Sequence, residues 1–293
     1  MTIISILIAF TLCHFIRELR HLRRFGWVTS FTKHCNDMLK NVPGWAGPTG
    51  FLVILGLPLF AAFLVNSVFI TLLGDIGAFL FAIAMLIYTF GPHDLDIDVR
   101  KVITAEDDEG RTKALETVLG GPVPEQEEAR RAAVINAIFS KALKRWFGII
   151  FWFALLGIYG ALLYRLAAWL SDGEFGLFDE QKDLINRLCR LMDWPAAQLI
   201  TLSLAIATDF DSVYRAWKKY HDERGHGLFE ANNEFMLTCA RTIVKTGHAA
   251  NDGYADQLQG SMATIKLSMD LVWRVLGVWA TVLAILLLVN VIA

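Results

Sequence analysis

The sequence predicts an all-α integral membrane protein, a multi-span helical bundle with additional helical segments outside the membrane. Hydrophobic residues make up 55% of its 293 residues, whereas soluble domains average about 45–50%. Charged residues still make up 19%, which indicates substantial polar loops between the apolar runs. The net charge of -2 gives no reason to expect nucleic acid as a partner, and the four cysteines are too far apart for a metal-binding motif.

Six apolar runs are candidate membrane spans, since a helix needs roughly 20 apolar residues to cross the bilayer core, or fewer with anchored ends. They cover residues 3–16, 51–73, 76–90, 147–170, 195–208 and 271–293. The first run has no preceding basic residue and no small-residue cleavage site after it, so it is interpreted as a retained anchor. Gly74-Asp75 is either a tight turn between two helices or a break in one long helix. The fifth run is a short span, a re-entrant segment or a buried helix.

Basic residues predict the orientation, because loops rich in Lys and Arg stay on the cytoplasmic side. Residues 17–40 contain six basic residues, and Arg17, Arg20, Arg23 and Arg24 follow the first run at once. Residues 91–146 and 209–270 are interpreted as cytoplasmic helical regions. Residues 171–183 are acidic, which favours the outer face. The chain is thus expected to form a single polytopic membrane domain, 1–293, with Met1 outside.

A short acidic segment follows the third apolar run. Asp94, Asp96 and Asp98 occupy alternate positions, and carboxylates on an extended loop can bind Mg²⁺. The simpler interpretation is the acidic first turn of a helix, which the helix dipole favours. We prefer the dipole interpretation and keep the three aspartates as candidate metal ligands.

Basic residues at the edge of the fourth run are candidates for binding a ligand. Arg131, Lys141, Lys144 and Arg145 bracket the helix that enters this run. They can bind a phosphate or nucleotide, although such residues more commonly contact anionic lipid headgroups. Arg165 lies inside the run, where a charge is costly and therefore suggests function. Its structural alternative is that the side chain extends to the nearby outer membrane surface.

Motifs for catalysis are absent from the sequence. It contains no GxSxG, HExxH or GxxxxGK[ST] pattern. Residues alone therefore indicate a multi-span helical protein without an identifiable catalytic residue.

Two segments resemble related membrane families. Residues 148–165, GIIFWFALLGIYGALLYR, are similar to a segment of the AmpE family and of the CobD/CbiB family of cobalamin-pathway synthases. Residues 191–199, LMDWPAAQL, resemble a stretch of the AmpE family, and Ala216-Trp217 matches its "AW" ending. The resemblance covers residues 94 to about 217.

Departures from the synthases favour the AmpE family. Where the synthases carry an acidic run, this chain has Asn136, Ser140, Lys141, Lys144 and Arg145. Protonated lysine cannot coordinate a cation, so the resemblance does not carry over the synthases' metal chemistry. Asn136 joins the other residues at these positions as a candidate ligand-binding residue.

The resemblance implies a regulatory protein of the bacterial inner membrane, linked to β-lactamase induction and cell-wall stress. It is expected to be no enzyme, to need no cofactor, and to bind an anionic small molecule or signalling partner at its cytoplasmic face. The lipid bilayer is its other expected partner. One alternative is a divergent CobD/CbiB-type synthase that uses ATP and Mg²⁺ to form an amide. Another is a small-molecule transporter. The sequence does not determine the oligomeric state.

Overall fold

A computed structural model describes residues 2–15, 25–90, 95–173, 175–224, 232–249 and 261–289. Regular structure in these ranges is helical throughout, with no strand, which confirms the all-helical prediction. The helices are α1 Thr2–Phe15, α2 Gly26–Leu39, α3 Pro48–Thr89, α4 Leu95–Thr104, α5 Asp108–Leu119, α6 Glu127–Ala142, α7 Gly148–Asp172, α8 Asp179–Ala207, α9 Phe210–Arg224, α10 Glu234–Ala249 and α11 Ser261–Leu288. A π-helical turn, Leu143–Phe147, joins α6 to α7. Arg17, Arg20, Arg23, Arg24 and Asp94 lie outside the described residues.

Three helical stretches are long and apolar enough to cross a membrane, judged by length and composition: Pro48–Thr89, Glu127–Asp172 and Met262–Leu286. They indicate a membrane-associated protein. The predicted runs 3–16 and 195–208 are not among them. The first forms α1, which has 14 residues, and the second forms the end of the much longer α8.

Helix α3 is a hairpin that turns at Gly74, where φ is 61°. A Cβ atom added at Gly77 would lie 2.1 Å from the carbonyl oxygen of Phe69. In a straight helix, two residues eight positions apart are about 12 Å apart. The Phe69 and Phe81 rings also meet, with centroids 5.5 Å apart. The arms 48–73 and 75–89 therefore lie side by side, which confirms the tight turn expected between the second and third apolar runs.

Helix α7 turns in the same way at Gly157, where φ is 65°. A Cβ atom added at Gly160 would lie 2.5 Å from the Trp152 carbonyl oxygen, and one added at Gly148 would lie 2.3 Å from the Tyr164 ring. These contacts require the arms 148–156 and 158–172 to be adjacent and antiparallel. The prediction of one continuous span over 147–170 is therefore wrong. No polar residue interrupts the sequence of this run near its middle, but its backbone reverses direction at Gly157.

An ion pair closes the other end of the α7 hairpin. The Lys144 Nζ lies 2.5 Å from the Asp172 Oδ1. The sequence analysis placed Lys144 at the inner edge of the membrane and the loop 171–183 at the outer face. That assignment is wrong at Asp172, because two residues in one ion pair cannot lie on opposite sides of a bilayer.

The two turns share a sequence pattern, Gly74-x-x-Gly77 and Gly157-x-x-Gly160. The first glycine of each pair has a positive φ, which side-chain-bearing residues rarely adopt. The second has no Cβ, which allows the opposite arm's backbone to approach closely. Both glycines are therefore needed for arms joined by so short a turn.

The chain divides into two compact units, where the sequence analysis expected a single domain. Unit 1 contains the described residues of 1–92, 144–192 and 284–293. Its buried core joins α2, α3, α7 and α8 through the cluster Phe25, Val28, Ile54, Leu55, Ala62, Leu162, Leu166, Leu170 and Ile185. A buried polar contact adds to it: Asn36 Oδ1 accepts from Trp45 Nε1 at 2.9 Å, while Gln181 Nε2 donates to the Trp45 carbonyl at 2.6 Å.

Unit 2 contains the described residues of 93–143 and 193–283. It brings together most of the two regions predicted to be cytoplasmic and helical, and α9 and α6 each pack on α10. Arg241 of α10 connects this helix to α6 by donating to Asn136 Oδ1 at 2.8 Å, and it also donates within α10 to Glu234 Oε1 at 2.7 Å. The helical part of that prediction is confirmed.

Replacing Gly160 tests the α7 hairpin. Gly160→Ala should lower the stability of the protein by about 1–3 kcal/mol, because the new methyl group overlaps a backbone carbonyl that cannot easily move. Gly277→Ala in α11 is the matched control, since nothing lies within 4 Å of its Cβ position. Thermal unfolding in detergent measures both variants. A neutral Gly160→Ala would contradict the close approach of the two arms.

Candidate anion-binding site

The six predicted ligand-binding residues divide equally between the two units. Arg131, Asn136 and Lys141 belong to unit 2, where each has a structural contact. The Arg131 Nε donates to Glu127 Oε1 at 3.0 Å, and Asn136 accepts from Arg241. The Lys141 Nζ donates to the Thr117 carbonyl at 2.8 Å. These contacts account for the three side chains without a ligand.

Contacts within the protein also account for the candidate metal ligands Asp96 and Asp98. Asp96 and Asp98 lie in the first turn of α4, as the dipole interpretation expects. The Arg100 side chain pairs with Asp96 at 2.8 Å, and Asp98 is buried. Among the described residues, no three His, Cys, Asp or Glu side chains are grouped so as to hold a metal ion.

Two cysteine thiols are also poorly suited to act as nucleophiles. Burial raises the pKa of Cys239 in unit 2 to about 12, and its Sγ lies 3.6 Å from the Val213 carbonyl oxygen. Burial raises the pKa of Cys35 as well. Both thiols are therefore protonated at neutral pH, and a protonated thiol is a poor nucleophile.

Arg165 in unit 1 has a different environment from the other candidates. Its side chain is only 6% exposed, so the predicted extension to the membrane surface is wrong. The described part of the chain provides it with neither an ion-pair partner nor a hydrogen-bond acceptor, and its Nε is a buried donor without a partner. Arg145 and Asp172 are near enough to act on it electrostatically, and Asp172 is paired with Lys144.

Two aromatic rings lie beside the Arg165 guanidinium, and further aromatic residues pack against those two. Its central carbon lies 5.1 Å from the Phe25 ring centroid and 5.8 Å from that of Trp169. Phe25 in turn packs against Tyr88 at 4.6 Å, and Trp169 stacks on Phe175 at 5.9 Å. The Trp27 Nε1 donates to the Tyr88 hydroxyl at 2.5 Å. We call these five residues, Phe25, Trp27, Tyr88, Trp169 and Phe175, the aromatic cage.

A second buried donor lies one helical turn from Arg165. The Trp169 Nε1 is buried and, within the described ranges, has no acceptor. Residues four apart in a helix share a face, so the two unsatisfied donors project from one side of α7. Two buried donors and a positive charge, with no acceptor bound to either donor among the described residues, are suited to an oxyanion.

Free energies support the same interpretation. Cation–π contacts contribute about 0.5–2 kcal/mol each, whereas removing a charge from water costs several kcal/mol even after relaxation. The rings alone therefore do not offset the burial of Arg165. An anion that paired with the guanidinium would supply the missing stabilisation.

Sequence reasoning identified Arg165 but none of the aromatic cage. A signal was present in the spacing, since Arg165 and Trp169 are four residues apart within one apolar run. Phe25 and Tyr88 lie far away in the sequence, so their approach is a property of the tertiary fold.

Comparisons with known proteins do not identify the chain. No protein-family model matches it, and neither the curated proteins nor the solved structures contain a match.

Replacing Arg165 by methionine separates a ligand site from a structural residue. Without ligand, Arg165→Met should leave stability unchanged or raise it by about 1–3 kcal/mol, because an unpaired buried charge becomes an apolar side chain of similar length. Chemical unfolding of delipidated protein in neutral detergent measures this. A loss of more than about 2 kcal/mol would show that the cage requires the cation for folding.

Proposed function

We propose that this chain is a non-enzymatic regulatory protein of a bacterial inner membrane that responds to an anionic ligand bound at Arg165. The observation that carries the proposal is the buried Arg165, whose Nε has no hydrogen-bond partner among the described residues and whose guanidinium lies beside the rings of Phe25 and Trp169 in unit 1. A residue that destabilises its own surroundings is commonly retained for function.

The surroundings of Arg165 favour binding over catalysis. The rings that lie beside its guanidinium, Phe25 and Trp169, do not titrate, whereas acid–base or nucleophilic chemistry needs a titrating group beside the reacting atom. A sensor requires only that ligand binding changes the relative stability of two states. A buried charge that is neutralised by its ligand provides such a change.

The physiological role rests on the resemblance to the AmpE family. The resembling residues 148–165 form the α7 hairpin up to Arg165 itself, and residues 191–199 lie in α8. We therefore propose a role in the control of β-lactamase induction under cell-wall stress, with the ligand's occupancy of the cage as the signal.

A cellular experiment tests this role. Arg165→Gln, introduced at the chromosomal gene, should alter β-lactamase induction by a sub-inhibitory β-lactam to the same degree as deletion of the gene. Arg187→Gln in α8 is the matched control, because this arginine of unit 1 is exposed and pairs with Asp183 at 2.7 Å. Membrane levels of both variants are compared by immunoblot. Normal induction in the deletion strain would rule out the regulatory role.

The synthase alternative gives a different result. A divergent ATP-dependent synthase should be stabilised against heat by ATP with Mg²⁺, and Asp96→Ala should remove that stabilisation. We expect no shift with the nucleotide, since the Asp96 carboxylate is already paired with Arg100. An ATP-dependent rise in the unfolding midpoint of several degrees that is lost in Asp96→Ala would support the enzyme instead.

The transporter alternative draws on one observation. Broken helices are common at transport sites, and α7 is broken at Gly157. Near this break the Asn66 Nδ2 donates to the Tyr159 hydroxyl at 3.1 Å. The tip itself exposes Leu155 and Leu156, which are apolar, whereas a transport site needs polar groups at the break. The break therefore favours a regulatory protein with a membrane-inserted hairpin over a transporter.

A further inference from the structure

We infer that the anion bound at Arg165 is the phosphate headgroup of a membrane lipid, with its acyl chains lying along the apolar surface of unit 1. This inference rests on the proposed function, since it identifies the class of ligand at the same site. Four observations support this inference: the depth of Arg165 along α7, the aromatic cage, the exposed apolar surface and the hydrogen-bond donors of the site.

Arg165 lies between the charged end and the apolar tip of the α7 hairpin. It precedes Asp172 by seven residues and follows Gly157 by eight, so about 10 Å of helix separates it from the ion pair and about 12 Å from the tip. The Lys144–Asp172 pair marks the polar end, and exposed Leu155 and Leu156 mark the lipid end. Arg165 is therefore at the level where lipid headgroups meet acyl chains.

The composition of the cage agrees with this depth. Trp and Tyr are enriched where a membrane protein crosses the headgroup layer, and the cage contains Trp27, Tyr88 and Trp169. Trp27 is 43% exposed and reaches the surface of unit 1, and its hydrogen bond to Tyr88 connects it to the ring that packs on Phe25, which lies beside the guanidinium. A headgroup at this layer needs only a short lateral movement to reach the guanidinium.

Exposed apolar side chains in unit 1 provide a surface for the acyl chains. On the first arm of α3, Phe60 and Phe63 are 60% and 51% exposed, and at the α7 tip Leu155 is 61% exposed. The Phe63 ring lies 6.4 Å from the ring of Tyr159, so these two elements are neighbours. A soluble anion would gain nothing from this surface, whereas a lipid buries its chains against it.

The donors select a phosphate. A guanidinium forms paired hydrogen bonds with phosphate oxygens, and the Trp169 N–H supplies a further donor. Phosphatidate is therefore the simplest lipid that combines the required charge with acyl chains.

Thermal unfolding of the delipidated full chain in neutral detergent tests the inference with three probes. These are dioctanoyl phosphatidate, dioctanoylglycerol with the same chains and no phosphate, and inorganic phosphate. We expect the unfolding midpoint to rise by several degrees with phosphatidate and to remain unchanged with the other two. Titration of the shift gives the apparent Kd.

Variants then locate the site. Arg165→Gln should weaken phosphatidate binding roughly 10- to 150-fold, since it removes a charged donor, and Trp169→Phe should weaken it roughly 2- to 12-fold by removing one neutral N–H. Arg187→Gln should bind as the wild type does. If Arg165→Gln does not fold, which size-exclusion chromatography shows, Trp169→Phe still tests the site, because it keeps an aromatic ring at this position and removes the N–H donor.

Each contrary result has a distinct meaning. Equal stabilisation by phosphatidate and dioctanoylglycerol would show recognition of the chains alone and would overturn the inference. If inorganic phosphate raised the unfolding midpoint as much as phosphatidate does, a lipid would be ruled out as the ligand. An anion site at Arg165 would still stand. Unchanged phosphatidate binding in folded Arg165→Gln and Trp169→Phe would exclude the site itself, and the proposed function would lose its ligand.

Discussion

The reversal of α7 at Gly157 is the constraint on which unit 1 depends. A straight helix over 148–172 would carry Asp172 far from Lys144 and would remove Gly148 from the Tyr164 ring. The reversal is possible because Gly157 adopts a positive φ and Gly160 presents no side chain to the Trp152 carbonyl. The second arm then lies against α3 and the start of α2, which places Arg165 among aromatic rings. The candidate anion-binding site is thus a consequence of a backbone turn.

Arg165 is the residue of this arrangement that suggests a function. A fold selected for stability alone would place an apolar residue there, since the core around it contains Leu162, Leu166 and Leu170. The Arg165 Nε–H and the neighbouring Trp169 N–H are instead two buried donors without an acceptor in the described structure. A lipid phosphate at this depth would neutralise the charge of Arg165. The stability of unit 1 would then depend on membrane composition. Such dependence is what a protein that reports the state of the cell envelope requires.

The sequence predicted those features that change the local amino-acid composition. The α3 turn was visible because Asp75 interrupts the apolar run, and the helical character of unit 2 was expected from the polar regions 91–146 and 209–270. Gly157 was missed because both of its neighbours are apolar, so the turn leaves hydropathy unchanged. The burial of Arg165 was missed because Phe25 and Tyr88 approach it only through tertiary packing. Arg131, Asn136 and Lys141 were suitable ligand-binding residues by type, but the fold uses them in contacts within unit 2.

The distance between residues 144 and 172 tests the central claim most directly. Spin labels at Lys144→Cys and Asp172→Cys, in a protein whose native cysteines are replaced by alanine, would report it by pulsed electron paramagnetic resonance in lipid nanodiscs. The hairpin predicts a separation below about 20 Å, because the two side chains are in contact. A continuous helix would place positions 28 residues apart at about 42 Å. A distribution centred near that longer distance would contradict the fold-back of α7 and the anion site that depends on it.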